Sequence, residues 1–156
     1  MAMAITLQKY LDHKGVKYEI IHHSYTSSSM QSAQAAHVSG DYIAKSVVLE
    51  DDIGYLMAVV PATHHVQFRI LQETLDRRIS LATEQQLKDL FNDCDAGAIP
   101  PVGDAYGMVV VMDESLTACP DIYFEAGDHE DLVHVSGVDF QVLMASAGKG
   151  RFSQHI

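Results

Sequence analysis

Two β-rich runs five residues apart constrain this chain more than any other feature. Ile43 to Leu49 and Tyr55 to Val60 are rich in Val, Ile, Leu and Tyr, and the polar stretch Glu50-Asp51-Asp52-Ile53-Gly54 joins them. Strand-sized runs with so short a connection predict an antiparallel hairpin. Before it, Ile5, Leu7, Tyr10 and Leu11 at helical spacing, followed by Gly15, predict a helix over residues 4–14, and Val16, Tyr18 and Ile20 alternate as a strand. Ser28 or Ser29 can cap a short Ala-rich helix, Met30 to His37, stopped by Gly40. Beyond the hairpin, Val66, Ile70, Leu71 and Leu75 return to a helical period, and Thr83-Glu84-Gln85-Gln86 is a capping box opening a helix to about Phe91. Tyr106 to Met112, Ile122 to Glu125 and Leu132 to Val135 read as strands, and Ser136 with Asp139 caps a last helix to about Ala147. Helices and strands mix without strict βαβ alternation, which predicts an α+β fold on a mixed or largely antiparallel sheet.

The chain has 156 residues, 47% of them hydrophobic, which suits one compact domain over residues 1–156. No apolar run approaches the ~18 residues that span a bilayer, and the start runs straight into amphipathic sequence without a signal-peptide core. The expectation is a soluble, cytoplasmic protein with no membrane partner. Cys94 and Cys119 stand 25 positions apart, which excludes a disulfide-dense scaffold and a four-cysteine zinc site. A net charge of −11 argues against coating DNA or RNA by bulk electrostatics. The charge is uneven: residues 1–45 balance at +1 and the rest at −12. A polyanion would approach the side built by the first third, or the patch Arg69, Arg77 and Arg78.

Three places can carry chemistry. Strand alternation puts Lys45 on one face with Ile43, Val47 and Leu49, away from Ala44, Ser46 and Val48. That lysine either snorkels to solvent along its stem or aims a cation into a pocket, where it would attract a phosphate or carbonyl group. The loop Gly97-Ala98-Ile99-Pro100-Pro101-Val102-Gly103 is stiffened by two prolines. It is a rigid connector, or a preformed wall presenting the N–H groups of Gly97 and Ala98 or nearby carbonyls. The turn Glu125-Ala126-Gly127-Asp128-His129 places a histidine at a strand start, suited to positioning a water or hydroxyl. Asp128 beside it would tend to raise its pKa.

Nine histidines, including the pairs His22-His23 and His64-His65, show no metal-ligand spacing, so neither a metal nor another cofactor is expected. No nucleophile elbow, Walker loop or dinucleotide fingerprint occurs. Cys94, between Asp93 and Asp95, is a poor nucleophile because neighbouring carboxylates raise a thiol's pKa.

Taken in order and separation, Ala44-Lys-Ser-Val-Val-Leu49, Gly97-Ala-Ile-Pro-Pro101 and Glu125-Ala-Gly-Asp-His129 resemble the signature blocks of the YbaK and prolyl-tRNA editing (INS) domain family, over roughly residues 5–150. The resemblance implies a compact α+β domain on a mixed, highly curved sheet flanked by helices. It implies hydrolysis of the ester of mischarged tRNA, in trans or within prolyl-tRNA synthetase, by a water rather than a covalent nucleophile, helped by backbone groups and the 2′-hydroxyl of the terminal adenosine. Carried onto matching positions, Lys45, Gly97 and His129 are the catalytic residues. Lys45 would anchor the terminal phosphate or ribose, the Gly97 to Pro101 loop would place the carbonyl and water, and His129 would orient the reacting end. Ala98, Ile99, Pro100, Pro101 and Gly127 would contact substrate, with Tyr25 and Thr26 at the pocket rim. The implied partners are the acceptor end of an aminoacyl-tRNA and an aminoacyl-tRNA synthetase that presents it. Alanine on tRNA(Pro) leads among the amino acids because of the Gly-Ala-Ile-Pro-Pro loop, with cysteine and serine open.

Two other readings stand beside it. One is a non-catalytic module that senses an aminoacyl or nucleotide-like ligand; the other is a metal-dependent hydrolase.

Overall fold

The computed structural model describes residues 3–26 and 28–156. In chain order the elements are α1 (Ile5–Lys14), β1 (Glu19–His22), α2 (Ser29–Ala36), β2 (Ala44–Glu50), β3 (Tyr55–Pro61), β4 (His64–Val66), α3 (Phe68–Leu75), β5 (Ser80–Leu81), α4 (Glu84–Leu90), β6 (Val109–Asp113), β7 (Asp121–Glu125), β8 (Asp131–Ser136), α5 (Gly137–Leu143), β9 (Gly148–Gly150) and β10 (Ser153–His155).

The hairpin forms as its pattern predicts. β2 and β3 pair antiparallel from Ala44 opposite Pro61 to Glu50 opposite Tyr55, and Asp51 Oδ1 accepts from Ile53 N and Gly54 N to close the turn. β6 then adds to β3 in parallel and β9 to β6 in parallel, giving a mixed five-stranded sheet in the order β5-β2-β3-β6-β9. A second, antiparallel sheet runs β1-β8-β7, and β4 pairs with β10. A single parallel bridge between Ile43 and Tyr123 ties the first sheet to the second. The architecture is α+β.

Apolar residues on both faces of β3 explain why the larger sheet lies inside. Met57 and Val59 pack with Leu7, Leu11, Val110, Met112, Phe124 and Phe140, while Leu56, Ala58 and Val60 pack with Leu49, Leu71 and Phe152. A strand covered on both sides reads as a continuous apolar run, as Leu56 to Val60 does. Each fully buried Leu or Phe here contributes about 1.5–3 kcal/mol relative to exposure.

The helix signals are largely borne out. Ser28 Oγ accepts from Gln31 N to start α2, the Thr83–Gln86 capping box starts α4, and Ser136 Oγ accepts from Asp139 N to start α5. Replacing Thr83 by alanine is expected to cost about 1 kcal/mol in urea unfolding, because it frees the N-terminal donors of an exposed helix.

Several boundaries differ from the sequence reading. α2 ends at His37 in the left-handed conformation, before Gly40 is reached. Val66 belongs to β4, drawn out of the helical pattern by pairing with Ser153. Tyr106, read as the start of a strand, instead ends a 3-10 turn over Gly103–Tyr106, where it packs edge-on to Phe91 and donates to Asp93, and β6 begins only at Val109. The first strand begins at Glu19, where its partners in β8 begin, and α5 stops at Leu143. The C-terminal strands have no local signal. They are held by Asp113, whose Oδ1 accepts from Phe152 N and Ser153 N at 2.9 and 3.0 Å.

Candidate functional site

β2 pairs with β3 along its length but with β5 only at Leu49 and Glu50. Its other edge is therefore free at Lys45 and Ser46, and the Gly97 loop lies against it: Ser46 Oγ donates to Ile99 O at 2.8 Å. Between this edge, the loop and the first turn of α2 sits a cavity of about 290 Å³. Its wall is Lys45, Ser46 and Ala62 on one side, Ala96, Gly97 and Ile99 on another, and Ser28, Ser29 and Met30 on the third. Strand alternation assigns Lys45 and Ser46 to opposite faces, yet both line this cavity because it wraps the edge of the strand.

Lys45 is half-buried and Nζ donates to Ala62 O at 3.4 Å. No carboxylate pairs with it among the described residues, and burial pulls its pKa below the ordinary lysine value. A cation desolvated without a counter-ion will gain from an anionic ligand group more than a surface lysine would.

Only Gly97 and Ile99 of the Gly97–Pro101 loop face the cavity; Ala98, Pro100 and Pro101 are buried behind that wall. The N–H of Ala98 is already committed to Asp95 O at 3.0 Å, so it is not presented to a ligand, and the Ile99 carbonyl is occupied by Ser46.

The Gly127–His129 turn packs against the same loop, since Asp95 N donates to Gly127 O at 2.8 Å. Gly127 has φ +111°, and a Cβ there would stand 3.0 Å from Ala4 Cβ, so no other residue fits comfortably. His129 follows at φ +60°, 4% exposed, with Nδ1 unpartnered. Tyr25 meets its ring edge-on at 5.6 Å, and Thr26 N donates to His129 O at 3.3 Å. Burial lowers the His129 pKa, outweighing the pull of Asp95 and Asp128 in the other direction. The expectation from Asp128 alone was a rise; desolvation, invisible in the sequence, reverses it.

The sequence-derived residues therefore fall into two adjoining groups. Lys45, Gly97 and Ile99 line the cavity, and Tyr25, Thr26, Gly127 and His129 form a cluster beside it, linked through Asp95 and through Thr26 Oγ1, 2.7 Å from Ser32 Oγ in α2. Ser28, Ser29, Met30, Ser46 and Ala62 were not foreseen as site residues; the cap signal at Ser28 located the helix start but not what it faces.

Cys94 stays unreactive. Burial first, and Asp93 with Asp95, push its thiol up to about 12. The arginine patch is partly neutralised, with Arg77 on Asp51 at 3.0 Å and Arg69 on Glu73 at 3.5 Å. Among the described residues, no three His, Cys, Asp or Glu side chains gather as around a metal ion, and no helix is long and apolar enough to cross a membrane.

Known proteins share this fold. A proline–tRNA ligase from Geobacillus sp. (strain WCH70) is 24% identical over 140 residues, 89% of this chain but only 24% of the ligase, so the chain spans about a quarter of that relative's length. A crystallised candidate trans-editing enzyme for prolyl tRNA synthetase superposes with a TM-score of 0.82 at 21% identity, covering 97% of this chain and 96% of that one. A candidate signal transduction protein from Marinobacter aquaeolei VT8 superposes at 0.78 and 18% identity, covering 97% of this chain and 31% of that protein. At such identities the structures establish the shared fold. The description of the aminoacyl-tRNA editing domain matches residues 23–143, well over half of the sequence, and the chain belongs to that family.

Proposed function

We propose that this protein hydrolyses the ester linking a small amino acid to tRNA, acting in trans on the acceptor end. The observation that carries the reading is the unpaired, half-buried Lys45 ammonium on the wall of a small cavity whose opposite walls are the Gly97 loop and the serine-bearing start of α2. Lys45 holds a phosphate or ribose oxygen of the terminal adenosine. The stiff loop from Gly97 to Pro101 sets the position of the aminoacyl carbonyl, and His129, in the cluster beside the cavity, orients the reacting end. His129, with its pKa lowered by burial, is a neutral imidazole at neutral pH and acts by hydrogen bonding rather than by charge. Water is the nucleophile and no cofactor takes part.

Alanine is the first amino acid to try, since a cavity of about 290 Å³ suits a small side chain. One methylene is worth only ~1–3 kcal/mol in an apolar pocket, so cysteine and serine belong in the same panel. A net charge of −11 disfavours gripping a whole tRNA, and a synthetase that presents the acceptor end is the matching partner.

The test is to incubate the protein with Ala-tRNA(Pro), Cys-tRNA(Pro) and Ser-tRNA(Ala), with and without EDTA, and follow amino-acid release. EDTA-resistant release from one of them is the expected result. Binding of the acceptor end without release from any would favour a sensing module, for which the acidic surface and the paired arginines already speak.

A further inference from the structure

Glu125 ends β7 and is 2% exposed. Its Oε1 accepts from Ser32 Oγ at 2.7 Å, and Oε2 has no partner. No cation pairs with it among the described residues, and the carboxyl group that acts on it is that of Asp128, itself 1% exposed. Ser32, fully buried in α2, has one hydroxyl proton, which goes to Glu125. Its contact with Thr26 Oγ1 at 2.7 Å must then be donated by Thr26. A buried chain Thr26–Ser32–Glu125 results. It reaches the cavity wall through Ser32 N, which donates to Ser28 O at 2.9 Å within the first turn of α2, and the adjoining cluster through Thr26 N, which donates to His129 O.

We infer that Glu125 is a positioning residue for the cavity, holding the Ser28–Met30 wall and the Thr26 hydroxyl through Ser32, and that gain or loss of its proton reverses the direction of the hydrogen-bond chain. With Glu125 ionised, the order of donation is Thr26 to Ser32 to Glu125, and the Thr26 oxygen can only accept from other groups. With Glu125 protonated, its O–H donates to Ser32 Oγ, Ser32 donates to Thr26, and the Thr26 proton turns outward as a donor. One proton enters at Glu125 and one donor appears at Thr26, with no bond to carbon changed. The inference rests on the hydrolase reading only for its effect on turnover.

The physical setting puts the changeover in a useful range. Burial, reinforced by Asp128 against the Ser32 bond, raises the Glu125 pKa to about 7. The other titratable groups on the elements packed against it are Asp131 and Glu130 after the turn, His129 within it, His23 after β1 and Asp95 beside Gly127. A carboxyl whose folded pKa exceeds its unfolded one stabilises the fold below the unfolded pKa, and that contribution is lost as pH rises through the folded pKa.

The experiment follows the Glu125 side-chain carboxyl carbon and the backbone amides of Thr26 and Ser29–Ser32 by NMR from about pH 5 to pH 8.5. The carboxyl and those amides should titrate together with one midpoint near 7. Glu125→Gln should abolish that titration in the amides while the His129 ring still titrates. A Glu125 midpoint below about 5, or amides that ignore it, overturns the inference. Thermal midpoints should fall for wild type relative to Glu125→Gln as pH rises from about 5 to 8. In the mischarged-tRNA assay, the inflection of kcat near neutral pH should vanish in both Glu125→Gln and Ser32→Ala, with Ser32→Ala about tenfold slower. An inflection unchanged in Glu125→Gln also overturns it. Should wild type release no amino acid, the hydrolase reading fails while the NMR titration still decides the coupling.

Discussion

Lys45→Ala is expected to slow ester hydrolysis by about 10²–10³-fold, the usual cost of deleting one preorganised electrostatic contact to a reacting substrate. The thermal midpoint should be unchanged or raised. Lys45 is desolvated by the strand edge and the Gly97 loop, and in return its Nζ reaches Ala62 O at 3.4 Å, with no carboxylate paired to it among the described residues. A partly buried cation with no counter-ion costs the fold free energy, so an apolar replacement relieves strain that only a bound anion otherwise compensates. Lys45→Met keeps the stem and removes the charge, separating packing from electrostatics. The measurement is single-turnover deacylation beside a melting curve. Full activity in Lys45→Ala would sink the anchoring role, and a large drop in the melting point would mark the lysine as structural instead.

Gly137→Ala is expected to destabilise the fold by about 3–5 kcal/mol, a large fraction of the 5–15 kcal/mol typical of a domain. A Cβ at this position would lie 2.0 Å from Cys119 O, against backbone rather than a movable side chain. The same neighbours exchange the Gly137 N to Pro120 O hydrogen bond at 2.8 Å, so relief of the clash also breaks that bond and loosens the entry to β7. Urea unfolding measures the loss. Val138→Ala, one residue on and 77% exposed, serves as the control and should change stability by less than about 0.5 kcal/mol. Equal effects at the two positions would show that the close approach is not what constrains Gly137.

Helix starts at Ser28, Thr83 and Ser136, and the hairpin across Glu50–Gly54, were legible because each is decided by residues within a few positions of one another. The three motif blocks around Lys45, Gly97 and Gly127–His129 were legible too, being contiguous strings that a family resemblance can match. Residue type alone also marked Cys94 as inert, since the neighbouring carboxylates that help raise its pKa are its neighbours in the chain.

Everything that depends on pairing across long separations had to come from the tertiary structure. β9 and β10 exist because β6 and β4 offer free edges and Asp113 accepts their flanking amides, which no pattern in Gly148–Gly150 announces. Lys45 and Ser46 share one cavity because β5 covers only the far end of β2. The sign of the His129 shift turned on burial, and the chain from Glu125 to Thr26 joins β7, α2 and the loop after β1. By itself the sequence determined the capped helix starts, the central hairpin and which residue types carry the chemistry, through short-range backbone preference. Which of those residues meet, how dry each becomes and where its protons sit were decided by packing, because desolvation and side-chain contact depend on neighbours that are close in space and distant in sequence.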